Sequence, residues 1–365
     1  MQIRCKSLSL LQFVLMSRKV LVTPLNWGLG HATRCIPVIN ELISHGCEVI
    51  LASDGRAYDL LAVEYPDLLL LKLPPYEVHY QSTNMAWNII SQSWKILFAI
   101  RKERQHIASI VAEHQIDIIV SDNRFGCYHP DTRNIFITHQ INLHLPWWLS
   151  PGRWINRRWI RNFDECWIPD NEKLPNISGE LSHPPIHGLP TFYIGLLSRM
   201  RFYQRPVRYD VVVVLSGPEP QRSILESKIL QQARELPFRF LIVQGKPPKK
   251  KHYFDAHNIE ILSFLTTKDL NDAMLSGDII ISRSGYSTIM DLTKLGKKAF
   301  LIPTPGQTEQ EYLARLFLHK GVFYSQSQQK LDIAKGLTAA KAYPGFSTDT
   351  FPSADMTNII KRLLS

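Results

Sequence analysis

Short apolar runs alternate with helix-period stretches along almost the whole chain, and the alternation begins twice, at Val20 and again at Tyr209. A strand covered on both faces needs a continuous apolar run, and successive strands joined through helices pair in parallel. The pattern therefore predicts two doubly wound α/β units with parallel sheets. In the first half, strands are expected at Val20–Thr23, Glu48–Ala52, Leu68–Leu73, Ile116–Ser121, Asn134–Thr138 and Asp164–Pro169. Helical patterns lie between them at Thr33–His45, Arg56–Tyr65, Asn88–Glu113 and Gly152–Asn162. The second half repeats the theme at Tyr209–Leu215, Arg239–Val243, Ile259–Leu262, Asp278–Ser282, Ala299–Pro303 and Val322–Tyr324.

With 365 residues, the chain has room for two domains of about 100–200 residues each. The expected division is 16–197, a basic and Pro-containing linker at 198–208, a second domain at 209–345, and a tail at 346–365. A helix at Ser353–Leu364 would let that tail pack back on the first domain. Residues 1–15 read as a disordered extension ahead of Met16. The apolar run Leu8–Met16 follows Arg4 and Lys6 but has no small-residue cleavage site. It also falls far short of the roughly 20 residues of a membrane span. Five scattered cysteines form no CxxC pair, as expected of reduced thiols in a cytoplasmic protein. The net charge, 42 − 32 = +10, suits anionic substrates, nucleic acid or an anionic membrane surface. No RNA- or DNA-binding motif is present, so no nucleic-acid partner is expected.

Polar loops at strand ends carry the candidate chemistry. Arg283-Ser284-Gly285 follows an apolar strand and opens a helix, which gathers backbone N–H groups and hydroxyls at a positive helix end. Ser287 and Thr288 extend that turn, and Asp291 lies farther along the helix, where it could accept from a ribose diol. After Pro303, Gly306-Gln307-Thr308-Glu309-Gln310 opens the next helix. Two such units side by side make a crevice at the carboxyl ends of a parallel sheet. Ser216 and Gly217, followed by Arg222, offer a further phosphate turn. In the first half, Gly28 and Gly30 allow close backbone approach, and His31 has the chemistry of a general base at neutral pH. Thr33 stands where a dinucleotide fingerprint needs its third glycine, which argues against a dehydrogenase. Asn123, Arg124 and His139 follow neighbouring strands and would share the rim with His31.

Between Thr132 and Phe163 there is no Asp, Glu or Lys, while Arg153, Arg157, Arg158 and Arg161 cluster with Trp147, Trp148, Trp154 and Trp159. On a helix from Gly152, Trp154 shares a face with Arg157, Arg158 and Arg161. Three readings stay open for this segment: cover for the domain's own core, an anionic membrane surface, or stacking on RNA bases.

The segment Arg283-Ser284-Gly285-Tyr286-Ser287-Thr288-Ile289-Met290-Asp291, continuing to Gly296, Pro303 and Gln310, resembles glycosyltransferase family 28, which includes peptidoglycan N-acetylglucosaminyltransferases. The Gly28-Leu29-Gly30-His31 loop is similar to that family's N-terminal loop. The match is specific over 278–315, weaker at 20–45 and 209–235, and absent between 55 and 200. The resemblance implies a GT-B fold, with two Rossmann-like domains facing across a cleft, the first for the acceptor and the second for a nucleotide sugar. It implies no cofactor and no metal. Asp291 would hold the ribose, and Gln310, with Gln307 and Glu309, the sugar hydroxyls. The Arg283–Gly285 turn with Ser287 and Thr288, helped by Ser216, Gly217 and Arg222, would cover base and diphosphate.

His31 would be the base or a ligand on the diphosphate side, and Gly28, Gly30, Asn123, Arg124 and His139 would face the acceptor. Two departures stand out: Asp291 replaces the family's Glu, and Glu311 stands where the peptidoglycan enzymes carry a second Gln. The expected reaction is metal-independent, inverting transfer from a nucleotide diphosphate sugar, UDP-linked by analogy, to a hydroxyl acceptor that could be lipid-linked. The expected location is cytoplasmic, with peripheral attachment to the inner membrane face as an option. A non-hydrolysing nucleotide-sugar epimerase and a basic nucleic-acid- or membrane-binding protein remain as alternatives.

Overall fold

Three isoleucines in a row, Ile279 to Ile281, show how the apolar runs are used. Ile280 faces one core while Ile279 and Ile281 face another, so both sides of the strand are covered. Val20 and Val22 against Leu21 do the same in the first half. In the computed structural model, which describes residues 17–76, 93–145, 149–246, 252–351 and 356–365, these runs form two parallel sheets.

The first sheet contains β1 (Lys19–Pro24), β2 (Glu48–Ser53), β3 (Leu70–Lys72), β4 (Ile118–Asp122), β5 (Arg133–Ile137), β6 (Glu165–Ile168) and β7 (Thr191–Tyr193). Their order is β3-β2-β1-β4-β5-β6-β7, parallel throughout. The helices of this half are α1 (Leu29–Ser44), α2 (Gly55–Glu64), α3 (Ser93–His114) and α4 (Ser150–Ile160).

The second sheet contains β8 (Tyr209–Val214), β9 (Phe240–Val243), β10 (His252–Ala256), β11 (Ile259–Leu262), β12 (Gly277–Ser282), β13 (Lys298–Leu301) and β14 (Tyr324–Ser325). Its order is β10-β11-β9-β8-β12-β13-β14, with only the edge strand β10 antiparallel. Around it lie α5 (Gln221–Ala233), α6 (Thr267–Leu275), α7 (Tyr286–Leu295), α8 (Thr308–His319) and α9 (Ile333–Ala340), and the chain closes with α10 (Met356–Leu364).

Each sheet reverses its direction of growth once, between β1 and β4 and between β8 and β12. Ligand crevices of open α/β sheets form outside the carboxyl ends of such strand pairs. The four loops that leave these strands are those carrying His31, Asp122, Ser216 and Arg283.

Residues 194–208 join the sheets without belonging to either. Ile194, Leu197 and Met200 are buried in a core cluster that runs on from α1 into α7 and α8. Ser198 and Arg199 bond across to Asp291, Thr267 and Glu64, so the first residues of the expected linker are packed rather than free. At the other end, α10 lies on α1, and Arg362 Nη2 meets Glu165 Oε2 at 2.7 Å above the Phe192 ring.

Some elements were not legible in the alternation. α6 is short, and α9 is rich in small residues. β10 exposes Phe254 on an edge where burial imposes no pattern. Helix α1 begins at Leu29 rather than Thr33, which brings His31 into its first turn. The 1–15 extension, the first residues of the Asn88–Glu113 helix, Trp147 and Trp148 lie outside the described residues.

Gly336 of α9 rests directly on β13. A β-carbon there would stand 2.2 Å from the Phe300 ring, which is itself fully buried. Gly336→Ala is expected to lower stability by about 1–3 kcal/mol, the usual cost of overpacking, in chemical denaturation. An unchanged midpoint would show that α9 can shift off the sheet.

Candidate functional site

On the first-domain side, the chain leaves β1 and turns at Gly28, whose φ of 101° suits glycine alone and whose missing side chain would meet nothing within 4 Å. Helix α1 then presents His31 from its first turn and Arg34 one turn later. β4 ends at Asp122, which is fully buried between them. Arg34 grips both carboxylate oxygens of Asp122 through Nε and Nη2. His31 Nδ1 lies 2.7 Å from Asp122 Oδ1, and Arg34 Nη1 lies 2.8 Å from His139 Nδ1. The other ring nitrogen of His139 is 3.2 Å from Glu309 of α8, on the opposite side of the cleft.

This chain of contacts assigns the protons. Arg34 can only donate, so His139 accepts at Nδ1 and carries its proton on Nε2, which it gives to Glu309. Burial, with the Arg34 charge alongside, holds His139 below the usual histidine range, in keeping with a neutral ring. His31 Nδ1 faces two groups, Asp122 Oδ1 at 2.7 Å and Arg34 Nη2 at 2.9 Å, and these contacts aim the ring with Nε2 on its far side. Although burial opposes it, the Arg34 guanidinium together with His31 holds the Asp122 carboxyl down at about 2. Asp122 therefore stays charged and fixes the His31 ring.

The two domains meet where the helix starts converge. Ser287 Oγ donates to the Gly30 carbonyl at 3.1 Å, and a β-carbon on Gly30 would stand 2.7 Å from that hydroxyl. Glu309 also accepts from Gln140 of the first domain and, at 3.3 Å, from the Tyr286 amide in the first turn of α7. Tyr286 stacks on His139 with ring centroids 4.0 Å apart and donates its hydroxyl to Pro169 O. Gly285 has an ordinary φ of −70° and its added β-carbon would meet no atom closer than 3.9 Å. Neither its backbone nor its packing demands glycine there.

Several expected contacts take a different form. Arg283 is buried, and its guanidinium donates to the carbonyls of Ile302, Pro303 and Gln221 rather than pointing out of the turn. With no carboxylate partner among the described residues, burial pulls it down to about 10. Ser284 Oγ is tied to the Gln310 carbonyl, and the Gln310 side chain bonds the Thr304 amide and Gln307.

Glu311 accepts from the Gly306 amide, so it braces the loop before α8. Asp291 accepts from Ser198 Oγ at 2.6 Å, and burial pushes its carboxyl up to about 6. Ser216 and Gly217 are exposed at the rim, and Thr288 is half-buried.

Two arginines expected to offer charge do not. All five N–H groups of Arg222 are taken by Glu219, Glu226, Ser223 and the Gln244 carbonyl. Arg124 is sealed between Glu103, Asp54 and the Pro74 carbonyl. Asn123 holds a left-handed φ of 57°, and its amide donates to Ile137 O, so it shapes the turn. The residues missed were Asp122 and Arg34. Asp122 sits in a loop that was singled out, but nothing local in sequence says it reaches a helix so far away along the chain. On α4, Trp154, Arg157 and Arg158 are exposed, as is Arg161 just after it, whereas Trp159 packs inward on Phe125.

With this geometry in place, likenesses to known proteins can be stated. The model of the glycosyltransferase family 28 C-terminal domain matches residues 211–342. An uncharacterized glycosyltransferase of Methanosarcina mazei is 23% identical over 329 residues, spanning 83% of this chain and 84% of that protein. A UDP-N-acetylglucosamine–N-acetylmuramyl-(pentapeptide) pyrophosphoryl-undecaprenol N-acetylglucosamine transferase of Methylorubrum extorquens is 40% identical over 116 residues, 30% of this chain and 31% of that one.

Among solved structures, the spinosyn rhamnosyltransferase SpnG complexed with thymidine diphosphate superposes with a TM-score of 0.63 at 13% identity, covering 95% of this chain and 100% of that one. MurG of Acinetobacter baumannii gives 0.55 at 12%, covering 95% and 99%. These two likenesses carry the two-domain GT-B fold.

Asp291 supplies a pH test. Its folded value near 6 lies above the roughly 3.9 of an unfolded aspartate, so the native state holds the extra proton and loses stability as pH rises from about 4 to about 6. Asp291→Asn removes that loss. The variant is expected to melt higher than wild type at pH 7, with the gap closing below about pH 4. Parallel melting curves across that range would rule out the raised carboxyl.

Proposed function

This chain is a glycosyltransferase of the GT-B fold whose residues 211–342 form a family 28 C-terminal domain, and we propose that it transfers a sugar from a nucleoside diphosphate to an acceptor hydroxyl with inversion. The observation that carries this reading is the oriented His31–Asp122 pair standing against the N-terminus of α7, where the two domains touch at Ser287 and Gly30. The acceptor hydroxyl gives its proton to His31 Nε2 as its oxygen attacks the anomeric carbon. Asp122 holds the opposite proton and stabilises the imidazolium that forms. The bond from the anomeric carbon to the diphosphate breaks, and the departing charge falls at the first turn of α7, beside Gly285. The buried, uncompensated Arg283 adds positive potential behind that turn.

On this reading Asp291 takes the ribose diol, exchanging its bond to Ser198. On the same reading Gln307, Glu309 and Gln310 take the sugar hydroxyls, exchanging their bonds within the cleft, and Ser216, Gly217 and Thr288 close over the phosphates. A nucleoside diphosphate donor is further supported by the thymidine diphosphate in SpnG and by the UDP-N-acetylglucosamine named for the Methylorubrum extorquens relative.

A lipid-linked acceptor fits the outer face of the first domain. Trp94 and Phe98 of α3 are each 65% exposed, and Trp154 of α4 is 68% exposed. The two helices are joined through Trp159, packed with Ile96 and Ile100, in a cluster that includes Leu25 of the loop before Gly28. Lys95, Arg101 and Lys102 flank one helix and Arg153, Arg157, Arg158 and Arg161 the other. Aromatic side chains ringed by cations suit an anionic membrane surface, and here that surface borders the acceptor side of the cleft. No described helix is long and apolar enough to cross a membrane.

Two measurements test the proposal. A thermal-shift screen with UDP-, GDP-, dTDP- and CMP-linked sugars identifies the sugar nucleotide, because a ligand of the native state raises its melting temperature. With that donor, His31→Ala is expected to lower turnover by about two to four orders of magnitude and leave donor affinity in place; near-normal turnover at saturating acceptor removes His31 from the mechanism. For the membrane face, wild type is expected to float with vesicles containing phosphatidylglycerol, and a Trp94→Ala, Phe98→Ala, Trp154→Ala variant is not. Equal flotation of both proteins would place the attachment elsewhere.

A further inference from the structure

Among the buried polar side-chain atoms without a hydrogen-bond partner, three lie together at one end of the second sheet. Ser282 Oγ, Arg283 Nε and Thr304 Oγ1 are all sealed from solvent and unpaired. Ser282 ends β12 and Arg283 follows it, and Thr304 comes after β13, its neighbour; the loop leaving β8 lies alongside. Thr304 is 2% exposed. Its amide donates to Gln310 Oε1 at 2.9 Å and its carbonyl accepts from the Gln307 amide at 3.1 Å, so only the hydroxyl is idle.

That hydroxyl lies beside Gly217. A β-carbon built on Gly217 would stand 3.6 Å from Thr304 Oγ1 and meet nothing else within 4 Å. The space left by the missing side chain is therefore bounded on one side by a hydroxyl with nothing to bond. A buried hydroxyl without a partner is costly, and a valine of the same shape would avoid that cost. Next to it, the Arg283 guanidinium donates through Nη1 and Nη2 to three carbonyls, leaves Nε idle, and meets no carboxylate among the described residues. Carbonyl oxygens accept its protons without cancelling its charge. An idle hydrogen-bond donor beside an uncancelled cation recognises an anion with accepting oxygens.

We infer that the Thr304 side chain, turning toward the space left open by Gly217, donates a hydrogen bond from Oγ1 to a phosphoryl oxygen of the nucleoside diphosphate there, with Arg283 buried behind it. The inference rests on the sugar-nucleotide reading above and adds to it a residue that the sequence did not single out. Of the acceptors a sugar nucleotide carries, the phosphoryl oxygen is favoured over a sugar or ribose hydroxyl because it alone answers the Arg283 charge.

Calorimetric titration of the full chain with UDP, dTDP and uridine separates these parts. Thr304→Val is expected to weaken binding of the nucleoside diphosphate roughly ten- to hundredfold, the range for hydrogen bonds to a charged group. Thr304→Ser should restore it. Uridine affinity should not change, and the unliganded Thr304→Val protein should melt no lower than wild type. Wild-type affinity for the diphosphate in Thr304→Val overturns the inference and leaves the sugar-nucleotide reading standing. So does an equal loss for uridine, or a lower melting temperature, which would assign the hydroxyl to a partner within the protein. If wild type binds neither UDP nor dTDP, both readings fall together.

Discussion

The ion pair between Arg34 and Asp122 is the contact on which the cleft depends. It sits at the point where the first sheet reverses its growth, and it ties the helix after β1 to the end of β4. Both groups are fully or almost fully buried. Removing one partner of such a pair typically costs about 3–5 kcal/mol, since the other charge is left in a poor solvent. The pair also sets chemistry at a distance. With Arg34 donating to Asp122 and to His139, the proton position on His139 follows, and its ring carries the pattern to Glu309 in the second domain.

The buried arginines divide by function. Arg34, Arg124 and Arg222 each have carboxylate partners. Arg283 has carbonyls only. Three of the four therefore add little field beyond their own surroundings, while Arg283 leaves the carboxyl ends of β12 and β13 electropositive. The facing wall is organised differently, around the Asp122 carboxylate and the His31 ring it holds.

The strands were legible in the sequence wherever a β-branched run was buried on both faces, as in Ile279–Ile281 and Val211–Val213. The loops that matter were legible too, since polar residues and glycine after such runs mark carboxyl strand ends. Side-chain partners were not. Arg124 and Arg222 read as available charge because a sequence shows a cation but not the carboxylates that fold onto it. Asp122 was passed over for its neighbours Asn123 and Arg124, which looked equally polar and turned out to shape or brace the turn.

Taken alone, the amino-acid order determined two parallel α/β sheets, the helix starts at Leu29 and Tyr286 to within a few residues, and the identity of His31 as the one imidazole beside a glycine-rich turn. It could do so because burial periodicity and turn chemistry act over a few residues. The tertiary structure decided which charges cancel, which hydroxyl is left idle, and which carboxylate aims His31. Those outcomes depend on residues as far apart as Arg34 and Asp122, or Gly217 and Thr304, and they exist only once the strands have taken their order in the sheet.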